Sequence, residues 1–309
     1  FGIAPMGASA LMAYRGDIVL ARAAEAAGIP AIMSATSLIR MEEVVAEAPA
    51  TWFQAYLPGE NGRIEALVDR VAAAGFETFV LTVDLPIPGN RENNVRAGFS
   101  LPVKPSPQLV WQGLTHPGWL LGTALRTLGR HGMPHFENMD AGRGPPILSR
   151  DLVRAVGRRD GLAWEHLRLI RKRWKGALVV KGILSPADAP RAREAGADGI
   201  IVSNHGGRQL DGSVAPLRVL AEIVAAAGGM RVMLDGGVRR GSDVLKALLL
   251  GADFVFVGRP FLYAAAVGGD QGVAKAADLL VSEIDRNMGL LGVRSLDELR
   301  PEMARRISG

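Results

Sequence analysis

Short β-branched runs alternate with longer alanine- and leucine-rich stretches along most of this chain, and glycine or proline marks the joints between them. Apolar runs of four to eight residues read as buried strands, and stretches with a 3.6-residue apolar period read as helices. On that basis strands are predicted at Phe1–Pro5, Pro30–Met33, Thr51–Tyr56, Glu77–Val83, Ala177–Lys181, Asp198–Ser203, Arg231–Asp235 and Asp253–Val257. Helices fall between them at Asp17–Ala27, Met41–Ala48, Arg63–Ala74, Trp164–Trp174, Pro186–Ala195, Pro216–Ala227 and Ser242–Leu250. Gly28, Gly75 and Gly196 supply stops, Pro49 ends the second helix, and Pro186 is placed to start another. The remainder to Gly309 reads as mostly helical, with Ser295 and Glu298 spaced as a capping box. Eight alternating units predict an α/β chain folded as a (β/α)₈ TIM barrel, one domain over residues 1–309. A doubly wound sheet is the alternative, but no GxGxxG follows the first strand.

In such a barrel the chemistry lies at the carboxyl ends of the strands. The predicted ends carry Ser34, Gln54, Tyr56, Thr82, Asp84, Lys181, Ser203, His205 and Asp235, a polar ring that core packing does not explain. After the sixth strand, His205 is followed by Gly206, Gly207 and Arg208. Glycines there let a flat ligand approach the backbone, and the Arg208 fork suits a carboxylate. A histidine at a strand end is also a common structural residue; the neighbouring glycines and arginine shift the reading toward proton transfer on a small acid. Asp84 is placed to orient and charge-stabilise His205. Lys181 ends the fifth strand, where burial demands a negative partner such as a reduced, anionic flavin. The seventh and eighth ends carry Asp235-Gly236-Gly237 and Gly258-Arg259, at the place where barrels bind phosphate. Arg91 is a second candidate for a carboxylate contact, or a solvated loop charge.

Composition narrows this picture. The 309 residues include no cysteine, which excludes disulfides, thiolate catalysis and cysteine-ligated metals. There are five histidines, and Gly132 and Pro134 between His131 and His135 argue against a metal-binding helix face, so no metal is expected. The net charge of +5 is mild and scattered, which favours an anionic ligand or surface and predicts no nucleic-acid binding. The chain opens at Phe1 with neither Met nor a signal-peptide pattern and reads as part of a longer chain.

Several stretches together carry a family resemblance: Ser203-Asn204-His205-Gly206-Gly207-Arg208-Gln209-Leu210-Asp211, Leu81-Thr82-Val83-Asp84, Val180-Lys181-Gly182 and Asp235-Gly236-Gly237-Val238-Arg239-Arg240-Gly241. In that order they resemble the FMN-dependent α-hydroxy-acid dehydrogenases and oxidases, which include glycolate oxidase, lactate dehydrogenases and mandelate dehydrogenase. The resemblance implies FMN as cofactor and oxidation of an (S)-2-hydroxy acid to the 2-oxo acid. It implies that Pro5, Met6 and Gly7 pass the flavin ring. Ser34, Gln54, Thr82, Lys181 and Ser203 would line the ring and ribityl chain. Asp235, Gly236, Gly237, Arg239, Gly258 and Arg259 would hold ribityl and phosphate. Tyr56, Arg91 and Arg208 would contact substrate, and His205 would be the general base, with Asp84 and Lys181 completing the catalytic set. Gly7 and Ala35 suggest room beside the flavin for an aromatic acid. The family's N-terminal segment, with its substrate-contacting tyrosine, does not precede the first strand here. Family analogy also implies a homotetramer.

The long insert after the fourth strand, residues 101–161, interleaves Trp111, Trp119, Leu120, Leu121, Leu125 and Leu128 with Arg126, Arg130 and His131. That mixture suits a bilayer surface, and no stretch reaches the roughly 18 apolar residues of a spanning helix. It resembles the insert of bacterial mandelate and L-lactate dehydrogenases. The resemblance implies a peripheral protein on the cytoplasmic face of a bacterial membrane that passes electrons to a quinone. A substrate lid or an oligomer contact is the other reading of the insert. An oxidase using O₂, another FMN barrel such as a type 2 isopentenyl-diphosphate isomerase, and a non-catalytic phosphate-binding barrel are the competing functions.

Overall fold

The computed structural model describes residues 1–57, 59–100, 102–149 and 160–305. Eight parallel strands form one sheet: β1 (Gly2–Ile3), β2 (Ile32–Ser34), β3 (Trp52–Ala55), β4 (Thr78–Thr82), β5 (Ala177–Ile183), β6 (Gly199–Val202), β7 (Arg231–Asp235) and β8 (Phe254–Val257). From β2 to β8 each strand pairs with its sequence neighbours, and β1 pairs with β8. Between β1 and β2 the ring closes through a single parallel bridge, Ile3 to Ala31, where the Ile3 N–H donates to the Pro30 carbonyl at 2.9 Å. The TIM barrel expected from the strand pattern is therefore the fold.

Strand alternation explains what fills it. Side chains two apart share a face. Ala4, Ile32, Val80, Val179, Ile201, Met233 and Phe256 point inward and pack as one cluster, with Trp52 and Phe254 against it. The residues one position away, such as Phe53, Phe79, Leu81, Val180 and Ile200, point outward into the larger core shared with the helices. That outer layer is built by α1 (Gly16–Ala26), α2 (Met41–Glu47), α3 (Asn61–Ala73), then, after the insert, α8 (Trp164–Arg173), α9 (Asp188–Glu194), α10 (Pro216–Ala226), α11 (Gly241–Leu249) and α12 (Arg259–Leu291). The last is a 33-residue run broken at Gly269, whose backbone leaves the helical region.

The described residues between β4 and α8 form more helix than their irregular sequence suggests. It holds α4 (Glu92–Arg96), α5 (Pro107–Thr115), α6 (Pro117–Trp119), a π-helical turn at Leu120–Leu125 and α7 (Arg126–His131). Ser106 caps α5, its hydroxyl accepting from the Leu109 N–H at 3.2 Å. This segment is pinned to the loop after β1. The Trp119 indole N–H donates to the Leu11 carbonyl at 2.7 Å, the Tyr14 hydroxyl meets His131 Nε2 at 2.9 Å, and the Arg126 guanidinium lies 3.9 Å over the Tyr14 ring. Leu101 and residues 150–159 of the insert, and residues 306–309 of the tail, lie outside the described residues.

Three local expectations are corrected. β5 runs on to Ile183, through an irregularity at Gly182, instead of ending at Lys181. α9 begins at Asp188, so Pro186 sits in the turn before it. Ser295 makes no side-chain cap, and Glu298 accepts from the Arg294 N–H at 2.9 Å, one residue short of the expected box.

The inner cluster carries a stability expectation. Phe256 is fully buried and packs on Trp52 and Phe254, with ring centroids 5.4 and 5.1 Å away. Phe256→Ala is expected to cost about 3–5 kcal/mol, read as a lower midpoint of urea unfolding.

Candidate active site

The site follows from the same alternation. Two residues beyond each inward apolar side chain stand Met6, Ser34, Gln54, Thr82, Lys181, Ser203, Asp235 and Gly258, one per strand, so all face the carboxyl mouth of the barrel. Six of these are polar and six are buried: Ser34, Gln54, Thr82, Lys181, Ser203 and Asp235. Such a layer needs partners. Part of the demand is met internally. Ser34 Oγ donates to Gln54 Oε1 at 2.9 Å, and Lys181 Nζ donates to Ser203 Oγ at 2.8 Å and lies 3.0 Å from Asp235 Oδ2. Part is not: Gln54 Nε2, Thr82 Oγ1 and Asp235 Oδ1 are buried without a partner. Two donors and an acceptor left open together at the mouth mark a place for a ligand.

Lys181 carries the charge of this layer. Burial opposes its ammonium, but the Asp235 and Asp84 carboxylates outweigh that cost and hold its pKa above the ordinary lysine value. The lysine thus stays cationic in the barrel.

Above the layer, the loop after β6 brings His205 over the mouth. His205 adopts a left-handed backbone (φ 57°), which is costly for a residue with a Cβ. Its N–H donates to Ser203 Oγ at 3.0 Å, and its Nδ1 meets Asp84 Oδ1 at 2.9 Å. Nε2 is left facing Tyr56, whose hydroxyl is 3.5 Å away, at the outer limit of a hydrogen bond. With Nδ1 donating to the carboxylate, Nε2 is the nitrogen open to take a proton. Ser203 Oγ therefore accepts from both Lys181 and His205, tying cation and imidazole together.

The cationic rim is assembled from three loops. Arg91 Nη2 donates to Gln209 Oε1 at 3.0 Å, while its buried Nε has no partner. Gly89 allows this contact, because a Cβ there would lie 2.6 Å from the Arg208 carbonyl. The Arg208 pKa is lowered, first by burial and then by the charges of Arg91 and Arg259. Among the described residues none of these three guanidinium groups has a carboxylate partner, so their mutual repulsion is relieved by an incoming anion.

Gly236 and Gly237 follow β7 with φ of 98° and 80°, and Gly258 directly precedes α12. Arg259 Nη2 donates to the Gly206 carbonyl at 2.8 Å, which joins this end of the barrel to the His205 loop. Arg239 is exposed and its backbone N–H donates to Asp243 Oδ2 at 3.0 Å, so its side chain stands apart from the buried layer.

Two expectations about substrate room do not hold. The absent side chain of Gly7 faces the Thr36 hydroxyl, 2.0 Å from an ideal Cβ, and Ala35 is buried in the outer core. Neither opens space over the mouth. Thr36 itself, 3.0 Å from Ser34 Oγ, was not legible as a site neighbour. Nor was the Ser9–Asp17 hydrogen bond behind the β1 loop, with Asp17 buried and its pKa raised by that burial.

These features define a barrel whose mouth gathers open buried polar atoms and clustered cations around a carboxylate-supported imidazole. Residues 1–306 match the model of the FMN-dependent dehydrogenase family. The L-lactate dehydrogenase of Ectopseudomonas mendocina (strain ymp) is 41% identical over 310 aligned positions, covering 98% of this chain and 79% of that protein. The L-lactate dehydrogenase of Pseudomonas aeruginosa (strain UCBPP-PA14) is 40% identical over 305, covering 96% and 78%. Among solved structures, the monotopic membrane protein (S)-mandelate dehydrogenase superposes with a TM-score of 0.84 at 36% identity, over 97% of this chain and 79% of that one. Mandelate oxidase with benzoyl-formic acid gives 0.75 at 36% identity, over 97% and 76%. The chain belongs to the FMN-dependent dehydrogenase family and is an FMN-dependent enzyme. Its own atoms fit that cofactor: the unpartnered Gln54 Nε2, Thr82 Oγ1 and Asp235 Oδ1 match the ring and hydroxyl chemistry of a flavin, and Lys181 supplies positive charge beside them.

The buried pair yields a pH expectation. Because folding raises the Lys181 pKa, its contribution is full at every pH below the ordinary lysine value of about 10.4 and is lost only as pH rises through the folded value. Lys181→Met strands Asp235 and is expected to cost about 3–5 kcal/mol at pH 7. Adding Asp235→Asn is expected to return part of that loss, measured by thermal unfolding of both variants.

Proposed function

We propose that this protein oxidises an (S)-2-hydroxy acid of the L-lactate or mandelate type to the 2-oxo acid. The observation that carries this reading is the His205 Nδ1–Asp84 contact of 2.9 Å, which leaves Nε2 over the mouth beside the unpaired cations of Arg91 and Arg208. Arg208 and Arg91 bind the substrate carboxylate, and Tyr56 lies close enough to His205 to hold the hydroxyl near the same nitrogen. His205 Nε2 takes the substrate proton, and Asp84 stabilises the imidazolium that results. FMN, when bound, would supply the acceptor for the two electrons and for the second hydrogen that the hydroxy acid loses in becoming the 2-oxo acid. Gln54, Thr82 and Asp235 would hydrogen-bond the cofactor, and Lys181 would supply a positive charge that favours its reduced form. Pro5, Met6, Gly7 and Ser34 would complete the lining of the cofactor site. The Gly236, Gly237 and Gly258 backbone, Arg259 and Arg239 would hold the phosphate.

The same proposal extends to the electron acceptor. Trp111, Leu114, Leu121 and Leu125 are 67, 61, 63 and 50% exposed, an apolar surface that a soluble face seldom offers. No helix among the described residues is long and apolar enough to cross a membrane. A helical surface of this kind suits attachment to one leaflet, with a quinone as acceptor. The monotopic mandelate dehydrogenase among the structural neighbours supports that reading, and mandelate oxidase among them supports O₂ as a second acceptor.

Anaerobic mixing with L-lactate, glycolate and (S)-mandelate is expected to bleach the flavin with one of them. His205→Ala is expected to slow that bleaching about 10²- to 10⁴-fold while flavin content is retained. An unchanged rate would remove His205 from the mechanism. For the surface, co-sedimentation with vesicles containing anionic lipid is expected for the native protein and lost for Trp111→Asp/Leu121→Asp, with bleaching by the hydroxy acid preserved.

A further inference from the structure

We infer that Gly182 is a positioning residue: it sets the Asp84 carboxylate against His205 by yielding its own side-chain space to it. The inference rests on the proposed role of Asp84 as the support of the base.

β5 and β6 run in register through Lys181 and Ile201, but the next pair is Ile183 with Val202. Gly182 is the extra residue, and its φ of 106° is one that a side chain strongly disfavours. The insertion reverses the strand's phase. Val179 and Lys181 face the barrel interior, and unbroken alternation would aim Ile183 inward above Lys181. Ile183 is instead buried in the outer core with Leu178 and Val180. The mouth therefore keeps Lys181 and is spared a bulky apolar side chain beyond it.

Asp84 sits against the space thus made. A Cβ on Gly182 would lie 2.7 Å from Asp84 Cβ, 2.8 Å from its Cγ and 2.9 Å from its backbone N. The preceding strand end is held to the same place, since the Val83 N–H donates to the Lys181 carbonyl at 2.9 Å. Asp84 cannot keep its present position beside a larger residue 182, and the 2.9 Å contact to His205 depends on that position.

The test is a double-mutant cycle on the FMN-loaded protein, with Gly182→Ala, Asp84→Asn and the pair. Flavin bleaching by the most reactive hydroxy acid is measured alongside the hydrogen-bonded Nδ1–H proton resonance of ¹⁵N-histidine-labelled enzyme. Gly182→Ala is expected to slow bleaching up to about 100-fold and to remove the His205 resonance. In the Asp84→Asn background it is expected to add less than about threefold, because the interaction it acts through is already gone. Equal, additive losses in both backgrounds, or a retained His205 resonance in Gly182→Ala, overturn the inference. Full activity of Asp84→Asn alone instead overturns the role of Asp84 and the inference with it. Should Gly182→Ala lose its flavin, Gly182→Ala/Asp84→Gly is expected to regain it. Failure of that rescue assigns Gly182 to backbone geometry only and overturns the steric link.

Discussion

A lysine inside a β-barrel is the constraint from which the rest of this site is arranged. Lys181 is buried between strands, where an unpaired ammonium would be discharged or would prevent folding. The structure answers with Asp235 from two strands away and with Ser203 from the strand between. That answer has further effects. Ser203, by accepting from Lys181, is fixed where it also accepts from the His205 backbone, and this bond holds the histidine in its left-handed conformation. Asp84, which adds to the lysine's stabilisation, supports the imidazole from its other side. One cation thus organises two carboxylates, a hydroxyl and the His205 imidazole.

The fold and much of the site were legible in the sequence for one reason: a barrel strand has a period of two and ends at the chemistry. The β-branched runs announced the strands, and the polar residues interrupting their ends, Gln54, Thr82, Lys181 and Asp235, fell on the inward face by the same count that placed Val80 and Val179 there. The legibility failed where that count breaks or where contacts are long-range. Nothing in Val180-Lys181-Gly182-Ile183 states that the strand changes phase at the glycine. Gly7 and Ala35 looked like room because small residues leave space on paper, whereas Thr36 and the outer core fill it. Ser203 was legible as a mouth residue but not as a bridge, because its two partners come from different elements.

Charge on the rim is arranged differently from charge in the layer below. Lys181 is neutralised within the protein, whereas Arg91, Arg208 and Arg259 face one another. A balanced interior tolerates low dielectric; an unbalanced rim draws anions to it. The division suits a site whose interior stays intact while its rim exchanges anions with solvent.

The helices after β4 have a mechanical consequence. They are held to the loop after β1 at three points, through Trp119, His131 and Arg126, and that loop leads back to Met6 and Gly7 at the mouth. They are a strut and not a tether. Any surface that grips their apolar side therefore also fixes the compass bearing of the barrel axis. Rotational search is then settled once, at docking, and a partner moving in that same surface meets the mouth at a constant angle and height.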